Sequence, residues 1–231
     1  MNIIIVSNGP GLKDVVEKFG HSSEWIPQAI NDPSINYQVL KAYEGDVCNI
    51  DNYDGFIITG SKYSVYDDFD WINELKGFIK SIVSHNKPIL GICFGHQILA
   101  ECLGGKVEPN KLGWELGSYS INLTDEGLKH PLFKNIHDRD IVYESHQDIV
   151  SVMPEGAIEL AYTEKANQSF SYKNNIFGVQ FHPEFSHDVT RALMDIRASK
   201  GISLDSNELE KSFNSKNILK NFIKIIRGEI K

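Results

Sequence analysis

No other stretch of this 231-residue chain restricts the backbone as tightly as Gly91-Ile92-Cys93-Phe94-Gly95-His96-Gln97. The apolar run Pro88-Ile89-Leu90-Gly91-Ile92 reads as a buried strand, and Gly95 to Leu103 reads as a helix that stops at Gly104-Gly105. Between the two, the chain has to turn sharply at Cys93. Such a turn holds its central residue in a strained conformation and needs small neighbours, which the glycines two residues to either side provide. The expected product is a nucleophile elbow, with the thiol lifted away from the sheet. The N–H groups and dipole of the following helix then point at the sulfur, an arrangement that favours thiolate over thiol. A cysteine taken at random is most often a buried structural thiol. The preceding strand and the flanking glycines reverse that reading for Cys93.

The rest of the chain fits a fold built from strand-to-helix units. Met1 to Val6 reads as a first strand that runs into the Ser7-Asn8-Gly9-Pro10-Gly11 turn, and Leu12 to Phe19 as a short helix. Gly20 to Asn36, interrupted by Pro27 and Pro33, reads as irregular. Tyr37 to Ala42 is a second strand, Asp54 to Gly60 a buried strand ending at a glycine turn, and Asp70 to His85 a helix. Short strands are expected at Tyr119 to Leu123, Ile141 to Glu144 and Ala157 to Tyr162, and a buried one at Ile176 to Phe181. Helices at His187 to Ser199 and Ser206 to Arg227 close the chain, so one domain spans 1–231 with a helical segment from about 187. Strands alternating with helices at short spacing predict an α/β fold, a mostly parallel sheet with helices on both faces and a few antiparallel strands in the middle of the sequence.

Composition narrows the classes of function. Twenty-three Lys and Arg against 31 Asp and Glu give a formal charge of -8, which disfavours a broad nucleic-acid or anionic-membrane surface and favours a small polar substrate. No run approaches membrane-spanning length, and the N-terminal apolar stretch is too short and lacks the basic lead of a signal peptide. Cys48, Cys93 and Cys102 make an odd count without metal-ligand spacing, so no disulfide framework, metal site or cofactor is expected and a reducing cytoplasm fits.

A thiolate nucleophile requires a group that takes and returns a proton. Of eight histidines, His182 is the one at the carboxyl end of a strongly apolar strand, and Glu184 lies two residues on across the stiff Pro183. The carboxylate can hold one ring nitrogen while the other faces the sulfur. The 89 residues between Cys93 and His182 are no obstacle, because open parallel sheets gather site residues at their strand ends. Standing alone, His182-Pro183-Glu184 is more often a loop than a dyad; the elbow makes it the leading base. His96 reads as a packed helix residue, since its side chain diverges from that of Cys93 around the helix. Cys48 and Cys102 read as buried thiols. Trp25, Trp71 and Trp114 read as core or rim aromatics, with Trp114-Glu115 at the mouth of the pocket.

Pro88 to Leu99 and Gly178-Val179-Gln180-Phe181-His182-Pro183-Glu184 resemble the two signatures of the class I glutamine amidotransferase-like superfamily. Within it the chain is most similar to stand-alone members that include plant γ-glutamyl peptidases, a placement carried by Gly60-Ser61 before Asp70-Trp71-Ile72, by Ser145-His146-Gln147-Asp148 and by the helical tail. The resemblance implies a flavodoxin-like three-layer sandwich and attack of the thiolate on a γ-glutamyl amide to give a thioester. It implies a triad of Cys93, His182 and Glu184, and an oxyanion hole from the N–H of Phe94 with one from Gly60-Ser61, where many relatives carry Gly-Gly-Pro or Asn-Gly-Pro. Backbone donors of that kind are worth roughly 3 kcal/mol each. Chain order rejects the similar-looking Ser7-Asn8-Gly9-Pro10-Gly11 for that role. The resemblance further implies that Gln97 contacts the glutamyl group, although a capping or solvated glutamine is also compatible with its position, and that Ser145, His146 and Gln147 hold the glutamyl α-amino and α-carboxylate groups.

Three functions stay open at this point: a stand-alone hydrolase or transferase of a small γ-glutamyl compound, a glutaminase subunit that delivers ammonia to a separate synthase, and an inert binding or regulatory member of the fold. The complete triad disfavours the last.

Overall fold

A computed structural model describes residues 1–231. In chain order the elements are β1 (Asn2–Ser7), α1 (Lys13–Phe19), α2 (Ser22–Ile30), β2 (Asn36–Lys41), β3 (Gly55–Ile58), α3 (Asp70–Ser84), β4 (Ile89–Ile92), α4 (Phe94–Cys102), β5 (Lys106–Pro109), β6 (Glu115–Ser120), β7 (Asn122–Leu123), β8 (Ile141–His146), β9 (Asp148–Val152), β10 (Ile158–Tyr162), β11 (Asn167–Tyr172), β12 (Ile176–Val179), α5 (His187–Ser199) and α6 (Asn217–Ile226). Eight strands form the central sheet in the order β2-β1-β3-β4-β12-β11-β10-β7. The run from β2 to β12 is parallel and the rest antiparallel.

The parallel strands are apolar throughout because both of their faces are covered. Alternate side chains diverge: Ile3 and Ile5 of β1 pack with Ile26 of α2 and Ile218 and Phe222 of α6, whereas Ile4 and Val6 pack with Ile72 and Ile79 of α3 and Ile98 of α4. All of these are fully buried, or within about 1% of it, and each contributes about 1.5–3 kcal/mol by leaving water. This is the α/β arrangement expected from the sequence, three layers with the sheet in the middle.

Two features position the site. First, β4 and β12 are direct parallel neighbours, with Ile92 beside Val179, so the residues that follow them emerge side by side at the same sheet edge. Second, β6 and β8 form a small antiparallel sheet tied to the end of β12, where the His182 N–H donates to the Tyr143 carbonyl at 2.8 Å.

The structure departs from the sequence reading in three places. Ser22–Ile30 is helical although Pro27 lies within it. Proline removes one helix hydrogen bond, but Ile26, Ala29 and Ile30 all reach the core and the His21 ring accepts from the Ser23 N–H at the helix start, so packing and capping outweigh propensity. The last helix begins at Asn217 and not near Ser206. Residues before it are claimed by other partners: the Tyr119 hydroxyl donates to Asp205, the Glu210 N–H donates to Ser118 Oγ, and the Ser212 hydroxyl to the Ile141 carbonyl. Side-chain bonds of that kind compete with a helix. Finally, the strand expected at Tyr119 to Leu123 is two strands that part at Ile121, one pairing with β8 and the other with β10.

Candidate active site

Cys93 is the hinge between β4 and α4, with φ 53° and ψ -105°, a conformation that side chains rarely adopt. Its glycines are required by close packing. A Cβ on Gly91 would lie 2.3 Å from the Gly95 carbonyl oxygen, and one on Gly95 would lie 2.2 Å from that of Ile58. Phe94 opens the helix, so its N–H has no acceptor within the helix.

Strand β12 delivers His182 next to this turn. Its Nδ1 is 2.8 Å from Glu184 Oε1, its ring stacks on Phe185 at 3.8 Å between centroids and 10° between planes, and its remaining nitrogen is left for the Cys93 sulfur. Burial opposes charge on the imidazole, but the Glu184 carboxylate and the charge and hydrogen bonding of the Cys93 sulfur outweigh it and push the pKa up to about 10. Phe185 was not singled out from the sequence; an aromatic directly after Glu184 was the available signal. Gly60 closes the third side, where a Cβ would come within 2.9 Å of His182 Cε1 and 3.6 Å of Cys93 Cβ.

Ser61 turns its hydroxyl away and donates to the Asn8 carbonyl at 2.7 Å, which leaves its backbone on the site. The loop that chain order excluded as oxyanion donor thus braces the Gly60-Ser61 turn, with Asn8 Nδ2 also donating to the Thr59 carbonyl. Tyr63, Trp71 and Phe94 continue the brace as an aromatic row.

Two cavities meet here. One, of about 210 Å³, holds Cys93, Gln97, Ser145, Gln147 and Asp148. Gln97 is buried and its Nε2 donates to the Asp148 carbonyl and to Gln180 Oε1. The other, of about 110 Å³, lies on the His182 and Phe185 side and is walled by Leu12, Val15, Val16, Trp25 and Leu193. Ser61, Lys62, Ser145 and Arg197 border both.

His146 is brought to the same region, but its ring points into the protein. Its side chain is 2% exposed, Nδ1 is 3.0 Å from the Asp148 carbonyl, and Nε2 is 3.2 Å from both Glu115 and Glu144. Burial alone would suppress the imidazolium; Glu115 and Glu144 prevail and raise its pKa well above the usual value. Burial pushes Glu144 up to about 7. Glu115, expected at the pocket mouth with Trp114, is instead fully buried at the covered start of β6, where the partner strand β8 carries His146 directly opposite. Gln168 and Thr163 donate to its two oxygens.

His96 is fully buried against Phe170 and lies where a Cβ on Gly178 would be, and burial holds its pKa down to about 3. Cys48 and Cys102 are half-buried, and burial pushes both thiols up, Cys102 to about 11. Arg197 of α5 was not foreseen. It stacks on Trp114 at 4.7 Å, its Nε is buried without an acceptor, and no carboxylate pairs with it. No helix is long and apolar enough to cross a membrane.

The profile of the family "Glutamine amidotransferase class-I" matches residues 14–195. γ-Glutamyl peptidase 5 of Arabidopsis thaliana is 35% identical over 69% of this chain and 64% of its own length. A glutamine-hydrolysing GMP synthase of Treponema denticola is 32% identical over 94% of this chain, which spans only 40% of that enzyme. In three dimensions the chain superimposes on a glutamine amidotransferase of Thermotoga maritima with a TM-score of 0.76, covering 99% of one and 97% of the other at 23% identity.

Proposed function

The chain belongs to the class I glutamine amidotransferase family, and from that premise we propose that it cleaves the amide of a small γ-glutamyl compound through a Cys93 thioester. The observation that carries this reading is the imidazole of His182, held between a carboxylate and the elbow sulfur. In the first step the Cys93 thiolate attacks the γ-carbonyl carbon. The oxygen that gains charge meets the free N–H of Phe94 and that of Ser61, which act only once the tetrahedral state has formed. His182 gives its proton to the leaving nitrogen as the C–N bond breaks. Water then attacks the thioester carbon, His182 takes the water proton, and glutamate leaves with the thiolate restored. Glu184 keeps Nδ1 protonated and the ring aimed throughout.

The cavity beside Cys93 suits the glutamyl group. Gln97 has its amide nitrogen committed inside the protein, which leaves Oε1 to accept from the substrate amine, and Ser145 and Gln147 stand opposite. His146 would contribute its backbone, its ring being occupied elsewhere.

Release of glutamate from glutamine, γ-glutamyl amines and γ-glutamyl dipeptides by the purified chain tests the reading, with Cys93 labelling by a glutamine-like electrophile as the second readout. No turnover of any of them together with no labelling would sink it. The similarity to a GMP synthase over nearly the whole chain supports a second reading, a glutaminase that feeds a separate synthase. In that case the isolated chain would be nearly silent and yet still be labelled at Cys93.

A further inference from the structure

The two cavities that meet at the elbow differ in kind. The one containing Cys93 and Gln97 is polar, whereas the one on the far side of His182 is walled by the apolar side chains of Leu12, which precedes α1, of Val15 and Val16 of α1, Trp25 of α2 and Leu193 of α5. On the mechanism above, His182 protonates the departing nitrogen, so the leaving group must occupy the His182 side. Ammonia needs no such space. The second cavity measures about 110 Å³, against roughly 15 Å³ for a molecule the size of water, and ammonia gains nothing from an apolar wall. Trp25 is also held in place as a wall, its Nε1 donating to the Phe19 carbonyl at 2.7 Å and its ring set edge-on against Phe185.

At the junction of the cavities stands Arg197, a guanidinium with no carboxylate partner in the protein, laid over Trp114 and with a buried Nε that lacks an acceptor. A half-buried guanidinium without a carboxylate partner leaves its terminal N–H groups for a ligand to complete. Its geometry suits a carboxylate.

We propose that the cavity walled by Leu12, Val16, Trp25 and Leu193 is a leaving-group site for an apolar α-amino acid, whose side chain fills the cavity and whose carboxylate pairs with Arg197. The substrate class is then a γ-glutamyl dipeptide such as γ-glutamyl-leucine, with glutamine a poor substitute. This deepens the γ-glutamyl reading and rests on it.

Three substrates test the proposal on the intact chain: γ-glutamyl-leucine, γ-glutamyl-isoamylamine, which lacks only the leucine carboxylate, and glutamine. The expected order of kcat/KM is the order given. A single methylene in an apolar pocket is worth roughly 10- to 200-fold, so isoamylamine should exceed glutamine by at least about 10-fold, and leucine should exceed isoamylamine by a similar factor. Arg197→Gln should collapse the leucine-to-isoamylamine ratio towards one, and Val16→Phe, which fills the cavity, should collapse the isoamylamine-to-glutamine ratio. Glutamine cleaved as fast as the other two overturns the proposal and leaves the γ-glutamyl reading standing. Arg197→Gln slowing all three equally also overturns it, placing the guanidinium on the glutamyl carboxylate. Glutamate from none of them, with Cys93 unlabelled, overturns both.

Discussion

Two histidines of this protein sit in buried carboxylate settings, and only one of them faces the elbow cysteine. His182 has Glu184 on one nitrogen and Cys93 towards the other, and its ring borders a cavity. His146, at the end of β8, is set between Glu115 and Glu144 with its side chain closed off from solvent. Both carry raised pKa values for the same reason, that adjacent negative charge outweighs burial. The difference lies in what the second partner can do. A thiolate can leave His182 with a proton to donate, whereas two carboxylates hold the proton of His146 permanently. The first arrangement is the one the proposed proton transfer needs, and the second is a charge fixed inside the protein behind the cavity that Cys93 lines.

Replacing Cys93 by Ser breaks the comparison most severely. With hydroxyl for thiol, kcat for glutamate release should fall at least ~10⁴-fold, measured by single-turnover kinetics, while the circular dichroism spectrum is unchanged. Glu184→Gln comes next, with an expected loss of roughly 10³-fold in kcat and little change in KM, because the amide no longer stabilises the imidazolium. A comparable loss on His146→Gln would show that the two sites are not different in kind.

His146→Gln should instead act on stability, by about 3–5 kcal/mol in denaturant titration, since it leaves two buried carboxylates without their cation. Glu144→Gln should cost less, about 1 kcal/mol, because burial pushes that carboxyl up to about 7 and so weakens its charge, while Glu115 still faces His146. A separate effect is in the pH dependence of stability. A folded pKa of about 10 for His182, above the unfolded value, contributes stability that is complete below about pH 6.5 and is lost as pH rises through 10. The unfolding free energy of the parent should therefore fall over that interval relative to His182→Gln. Identical pH profiles would remove the raised pKa, and a neutral His182 ring by nitrogen NMR at pH 8 would do the same.

Much of the site was legible as local pattern. A strand, a cysteine and two glycines at fixed offsets describe an elbow because the clash distances at Gly91 and Gly95 are set by neighbours close in sequence or on the next strand. His182-Pro183-Glu184 was legible for the same reason, its ion pair spanning only two residues. The buried trio of His146, Glu115 and Glu144 was not, since it depends on the pairing of β6 with β8 across 31 residues, and Glu115 was placed at the rim. Arg197 could not be assigned either, being a charged residue on an amphipathic helix whose docking angle decides whether it meets solvent or the cavity.

Local sequence by itself determined the elbow with its cysteine, the histidine with its carboxylate, and a parallel α/β sheet, because strain, capping and hydrophobic period act over a few residues. Tertiary structure alone decided that β4 and β12 are neighbours, that His182 therefore stands beside Cys93, and that an apolar cavity and a guanidinium without a carboxylate partner lie on the His182 side. Those depend on the order of strands in the sheet and on how α1, α2 and α5 close over its edge, which are long-range packing outcomes that no short window of sequence contains.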